Sequence, residues 1–218
     1  MTTKTRVQES NYHELMDNQV KEFWKKREDG FVEGVVQKKL YWVSLTSPQH
    51  TKAIVVVNGR IENTWKYQEL FYHFFNLGYD IYSFDHRGQG LSDRLAEDRQ
   101  IGHVEYFSHY IEDMAKVIDS FNLSRYKKRF LIAHSMGGAI ATRYLQSYPK
   151  HGFNGITLSA PMFGVNISPI LKPIAPYWSC FVSHLSSKPK YLTENKAYKA
   201  KPFVINPLTS SKVRYQWF

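Results

Sequence analysis

Buried-strand runs alternate with helix-spaced segments through the middle of this chain, and that alternation constrains the fold more than any other feature. Residues 53–58, AIVVVN, are an apolar β-branched run that ends at once in Gly59, the pattern of a strand covered on both faces. Residues 66–77, KYQELFYHFFNL, repeat apolar side chains at helical spacing and stop at Gly78, which suits a helix C-terminus. Tyr79 to Phe84 predict a second strand, residues 106–121 a helix, RFLIAH at 129–134 a third strand, residues 136–148 a helix ended by Pro149, and GITLSA at 155–160 a fourth strand. Units of this kind joined by short connections build a mostly parallel sheet with helices on both faces, so the expected class is α/β. Upstream, Leu15, Val20, Phe23 and Trp24 mark apolar points in residues 11–28, predicting an N-terminal helix that lies on the larger body and ends at Gly30.

The alternation stops after residue 160. Prolines at 169, 173, 176, 189, 202 and 207 stand among scattered aromatics with no further buried-strand run, which predicts an irregular, partly helical cap over the sheet. The expected organisation is an N-terminal helical extension at 1–40, a core at 41–164 and a cap at 165–218. No window reaches the ~18–20 apolar residues needed to cross a bilayer, and the N-terminus lacks the succession of a secretory leader. The single cysteine, Cys180, excludes an intrachain disulfide framework and reads as a small buried hydrophobe. A cytoplasmic protein is the expectation.

Charge adds a partner class. The 29 lysines and arginines exceed the 19 carboxylates by ten, and residues 136–218 hold ten of the basic side chains against one carboxylate, Glu194. Such a stripe suits phospholipid headgroups, nucleic acid or plain solvation. No nucleic-acid motif accompanies it, so nucleic acid is set aside as a partner.

The chemistry concentrates between RFLIAH and the following helix. Ala133-His134-Ser135-Met136-Gly137-Gly138 has the form of a nucleophile elbow, in which a serine sits on a sharp strand-to-helix turn and small residues two before and two after it let the backbone pass neighbouring elements. Ser135 is the candidate nucleophile. The backbone N–H of Met136, at the helix N-terminus, and that of Arg60, in the turn after AIVVVN, are the candidate oxyanion donors. His134 is not taken as the base, because strand alternation points it away from its neighbour and beneath the sheet edge. Asp85 and His86, in FDHRGQGLSD, precede the serine and read as a structural turn. Arg60 and Arg87 have the planar donors of phosphate binders, but pairing with carboxylates is the expectation for both side chains. Neither a cofactor nor a metal enters this chemistry.

In this fold the acid and base follow the serine in the order Asp or Glu, then His. After Ser135 the only carboxylate is Glu194, and no histidine follows it; His151 and His184 both precede it. The triad is therefore not completed in the usual order, and the expectation is that the last part of the fold, with its acid and base, is missing from this chain.

VVNGRIENTWKYQEL, FDHRGQGLSDR, LIAHSMGGAI and SAPMFG, in that order, resemble the monoglyceride-lipase-like branch of the α/β-hydrolases and, within it, the bacterial inner-membrane lysophospholipases. The resemblance runs from about Phe23 to the end, with Asn58 where many relatives carry histidine and Ala133 where glycine is commoner. It implies an α/β-hydrolase fold with a cap, Ser135 as nucleophile, and Met136 and Arg60 as oxyanion donors. The implied reaction is hydrolysis of the single acyl ester of a lysophospholipid to a fatty acid and a glycerophospho-alcohol, with monoacylglycerol or another carboxyl ester as the alternative. It further implies an anionic membrane surface as partner and a location peripheral to the cytoplasmic side of the inner membrane. A truncated, catalytically impaired protein that binds lipid or a partner is the reading from another class.

Overall fold

The computed structural model describes residues 8–164, 173, 202–206 and 209–217. Readings that fall on other cap residues, among them Cys180, His184 and Glu194, lie outside the described residues. The strands are β1 (Glu28–Glu33), β2 (Lys39–Leu45), β3 (Lys52–Val57), β4 (Tyr79–Phe84), β5 (Lys128–His134) and β6 (Gly155–Ser159). They form one sheet in the order β1-β2-β4-β3-β5-β6. β3 runs parallel to β4 and β5, and β5 parallel to β6, while β2 is antiparallel to both β1 and β4. The alternation read from the sequence is thus the parallel part, four of the six strands, of a mixed sheet.

The helices are α1 (Tyr12–Leu15) and α2 (Lys21–Trp24), joined by a π turn at Met16–Val20, then α3 (Gln68–Asn76), α4 (Phe107–Ser120), α5 (Met136–Ser147) and α6 (Lys212–Trp217). Period-2 alternation divides each central strand between two cores. Ala53, Val55 and Val57 face Tyr110, Met114 and Val117 of α4 and Ile140 and Tyr144 of α5. Ile54 and Val56 face the other way, toward Tyr12, Val20 and Trp24 of the N-terminal helices and Phe71 of α3. Each fully buried aliphatic or aromatic side chain contributes about 1.5–3 kcal/mol, so the sheet is held from both sides. Gly78, at φ +85, closes α3 in a left-handed conformation that a residue with a side chain rarely adopts.

One expectation needs correction. The helical extension assigned to 1–40 ends at Trp24, and residues 28–33 are β1, which pairs with β2 from Glu28↔Ser44 to Glu33↔Lys39. The sheet therefore begins inside the segment that the sequence placed before the core, because β1 is polar and becomes a strand only through its partner. In the cap, residues 203–205 and α6 are helical, and α6 packs back onto the N-terminal helix: the Trp217 ring meets Tyr12 edge-on at 5.9 Å. Arg214 clamps Glu69 with two bonds of 2.7 and 2.9 Å and reaches Glu9 at 2.7 Å.

Candidate active site

β3 and β5 are parallel neighbours in register, Val57 opposite Ala133. Two residues further on, the same register sets Gly59 against Ser135, and a Cβ built on Gly59 would stand 3.1 Å from Ser135 Cβ. The turn after β3 and the serine after β5 therefore touch at the carboxyl edge of the sheet, where an open α/β sheet gathers its loops.

Ser135 has φ 51 and ψ −121, a sparsely populated backbone conformation that costs of order 1–3 kcal/mol. Its surroundings hold it there. Its N–H donates to the Ser159 carbonyl at 3.0 Å, and its carbonyl accepts from Gly138 and Met162, each at 2.9 Å. A Cβ on Gly137 would lie 2.3 Å from the Asn58 carbonyl oxygen, and one on Gly138 2.7 Å from Pro161 Cβ, so both glycines are required by close approach. Ala133, two residues before the serine, is fully buried; a methyl fits where the elbow pattern often has none.

Met136 opens the 12-residue helix α5, and its N–H, like that of Arg60, donates to no acceptor among the described residues. The helix N-terminus adds a partial positive charge at the same place. Arg60 itself is exposed, and its side chain makes no ion pair among the described residues. Arg87 behaves as expected: it is buried and clamps Asp113 through Nε–Oδ2 at 2.6 Å and Nη2–Oδ1 at 2.8 Å.

His134 does not pack beneath the sheet. Its side chain is 39% exposed, and Nδ1 lies 3.0 Å from Glu62 Oε2. A carboxylate only accepts, so Nδ1 carries the proton. Glu62 also accepts from the Gly59 N–H at 2.7 Å, from the Tyr67 hydroxyl at 2.6 Å, and from the Lys66 ammonium. Burial alone would raise its pKa, but the hydrogen bonds from Lys66, Tyr67 and His134 outweigh burial and hold it at about 2. Burial and the Glu62 charge in turn push the Tyr67 hydroxyl far up.

Asp85 and His86 are structural, as the sequence reading had them. Asp85 accepts from the Thr64 and Leu91 N–H groups at 2.7 and 2.9 Å. Fully buried, His86 sits with Nε2 3.0 Å from the Asn58 carbonyl, and burial pushes its pKa down to about 4. The sequence reading missed Glu62 and Gln89, which grip the turn around Arg60. The only local signal was Glu62 placed three residues after Gly59, within reach of that N–H.

Two exposed apolar side chains belong to the segments that meet at the serine. Ile61, in the turn after β3, is 80% exposed; Phe163, one residue beyond the Met162 N–H that binds the Ser135 carbonyl, is 66% exposed.

Comparison with known proteins agrees with this fold. A family model described as serine aminopeptidase S33 matches residues 48–218. The chain is 37% identical over 196 residues to lysophospholipase L2 of Escherichia coli strain K12, covering 89% of this chain and 57% of that protein. It is 34% identical over 215 residues to probable lysophospholipase L2 of Haemophilus influenzae, covering 97% of this chain and 67% of that protein. The chain thus spans between a little over half and two thirds of the length of these relatives. Among solved structures, a thermostable carboxyl esterase from Bacillus coagulans superposes with a TM-score of 0.59 at 17% identity, over 72% of this chain and 51% of that one; it shares the α/β-hydrolase fold.

Proposed function

This chain belongs to the serine aminopeptidase S33 family of α/β-hydrolases, and from that premise we propose that it acts as a lysophospholipase, hydrolysing the single acyl ester of a lysophospholipid to a free fatty acid and a glycerophospho-alcohol. The observation that carries the reading is 37% identity over 89% of the chain to a lysophospholipase, joined to an elbow serine in a strained conformation beside two N–H groups unengaged among the described residues.

Ser135 Oγ attacks the ester carbonyl carbon, and the carbonyl oxygen becomes a tetrahedral oxyanion that accepts from the Met136 and Arg60 N–H groups. Collapse breaks the bond to the leaving oxygen, which takes up the proton given up by the Ser135 hydroxyl and departs as the glycerophospho-alcohol; the acyl-serine left behind is then hydrolysed by water, which returns a proton to Oγ and releases the fatty acid. Each oxyanion donor is worth ~2.7–4 kcal/mol of transition-state stabilisation. Exposed Ile61 and Phe163, in the two segments that adjoin the elbow, suit an acyl chain. The basic excess of residues 136–218 suits a headgroup phosphate and an anionic membrane surface, on the cytoplasmic side of the inner membrane.

The test uses the protein as its native source makes it, with lysophosphatidylethanolamine and monoacylglycerol as paired substrates. Faster turnover of the lysophospholipid, abolished by Ser135→Ala, is the expected result. Preference for the uncharged glyceride transfers the activity to the second reading, a monoacylglycerol lipase. Lipid binding that Ser135→Ala leaves intact, with no turnover of either substrate, establishes the binding-only reading.

A further inference from the structure

The N–H of Arg60 is flanked by two N–H groups that are both engaged by side chains. Gly59 donates to Glu62 Oε2 at 2.7 Å, and Ile61 donates to Gln89 Oε1 at 2.7 Å. The amide of Gln89 also works in the other direction: Nε2 donates to the Gly59 carbonyl at 3.0 Å and to the Glu62 carbonyl at 3.2 Å. One buried amide therefore closes the turn from both sides. Ile61 pays the conformational cost, at φ 58, where a β-branched residue is a genuine outlier.

Gln89 is itself fixed. It is 4% exposed, its N–H donates to the His86 carbonyl at 3.0 Å, and its loop is tied by Ser92 Oγ to the Asp85 carbonyl at 2.6 Å. Glu62 is fixed by Tyr67, Lys66 and His134. His134 directly precedes the elbow serine, so the brace links the donor turn to the nucleophile's own strand.

We infer that Gln89 and Glu62 are positioning residues for the oxyanion site: by engaging the N–H groups on either side of Arg60 and holding Ile61 left-handed, they leave the Arg60 N–H unengaged and oriented for the substrate oxygen. Neither side chain touches the reacting atoms; both act through the Arg60 backbone. The inference rests on the reading of Ser135 as nucleophile. A brace of this kind acts on the transition state, where the negative charge on oxygen develops, and leaves ground-state binding nearly unchanged.

The experiment compares kcat, KM, melting temperature and the affinity of an alkyl trifluoromethyl ketone, which forms a tetrahedral adduct with an active serine. The variants are Ser135→Ala, Gln89→Met, Gln89→Glu, Glu62→Ala and Glu62→Gln. Gln89→Met keeps the volume and loses all three bonds; Gln89→Glu keeps an acceptor for Ile61 but faces two carbonyls with no donor. Both are expected to lower kcat and ketone affinity together, on the order of 100-fold, with KM within about threefold. Glu62→Gln, which retains an acceptor for Gly59, is expected to lose less than Glu62→Ala. Should the Gln89 variants melt below the assay temperature, the two Glu62 variants supply the same comparison.

Unchanged kcat in folded Gln89→Met overturns the inference while leaving Ser135 in place. So does a fall in kcat matched by an equal rise in KM, or one in which Glu62→Gln loses as much as Glu62→Ala. Turnover or ketone binding that survives Ser135→Ala, or absence of both in the unmodified protein, instead overturns the reading on which the inference rests, and the inference with it.

Discussion

Gly137 has the backbone of Asn58 where a side chain would stand: a Cβ built on it lies 2.3 Å from the Asn58 carbonyl oxygen and 2.6 Å from that of Val57. Both obstacles are main-chain atoms, one at the end of β3 and one just beyond it, which cannot swing aside as a flexible side chain does. Gly137→Ala is therefore expected to destabilise the fold by about 1–3 kcal/mol, as overpacking does. Gly164, where an added Cβ would meet nothing within 4 Å, is the contrast, and Gly164→Ala should stay within about 0.5 kcal/mol. Urea unfolding of the two variants makes the comparison, and equal midpoints would refute it.

Arg87 and Asp113 form a buried bidentate pair, and both also bind Val35: Asp113 accepts its N–H at 2.9 Å and Arg87 donates to its carbonyl at 2.9 Å. Removing one charge leaves the other buried and unpaired, so Asp113→Leu is expected to cost about 3–5 kcal/mol. Adding Arg87→Met should recover only part of that, since the Val35 groups stay unpaired. Equilibrium unfolding of the single and double variants measures the recovery; no recovery would mean that Arg87 finds another partner.

Acid sensitivity follows from two groups in succession. Burial lowers His86 from 6.5 to about 4, so the unfolded chain binds this proton first, and the stability it confers is complete above pH 6.5 and lost as pH falls toward 4. That amounts to about 3 kcal/mol across the window. Glu62, lowered from 4.5 to about 2, contributes stability above pH 4.5 that is lost as pH falls further. Unfolding free energies measured from pH 7 to pH 4 should decline, and His86→Gln should flatten that decline. A parallel decline in the variant would assign it to other groups.

The proposed attraction to anionic membrane rests on charge and should be screened by salt. Flotation with phosphatidylglycerol vesicles is expected at ~10 mM salt, where the Debye length is ~30 Å, and to be lost near 1 M, where it is ~3 Å. Binding that persists at high salt would shift the explanation to apolar insertion, and none at low salt would remove the membrane from the proposal.

The parallel strands were legible because each is a short, largely apolar run followed within two residues by a polar or turn-forming residue, signals carried within one window. β1 was not, since EDGFVE is polar and carries a glycine in mid-strand. Only pairing explains it: Gly30 lies opposite Trp42, and a Cβ there would come within 3.2 Å of the indole. The serine was visible as a local pattern. The grip on Arg60 was not, because Gln89 lies 28 residues from Ile61 and His134 lies 72 residues from Glu62, separations that local sequence reading does not bridge.

The register of β3 against β5 has an evolutionary consequence. Because hydrogen bonds between adjacent strands set the serine against the Arg60 turn, residues lying between the end of that turn and the start of β5 can be gained or lost in surface loops without moving the two apart. A single residue inserted within β3 or β5 would instead advance one strand by a step of ~3.3 Å and turn its side chains to the opposite face. Length variation among working relatives should therefore collect in the loops, such as residues 95–105, and avoid the two strands.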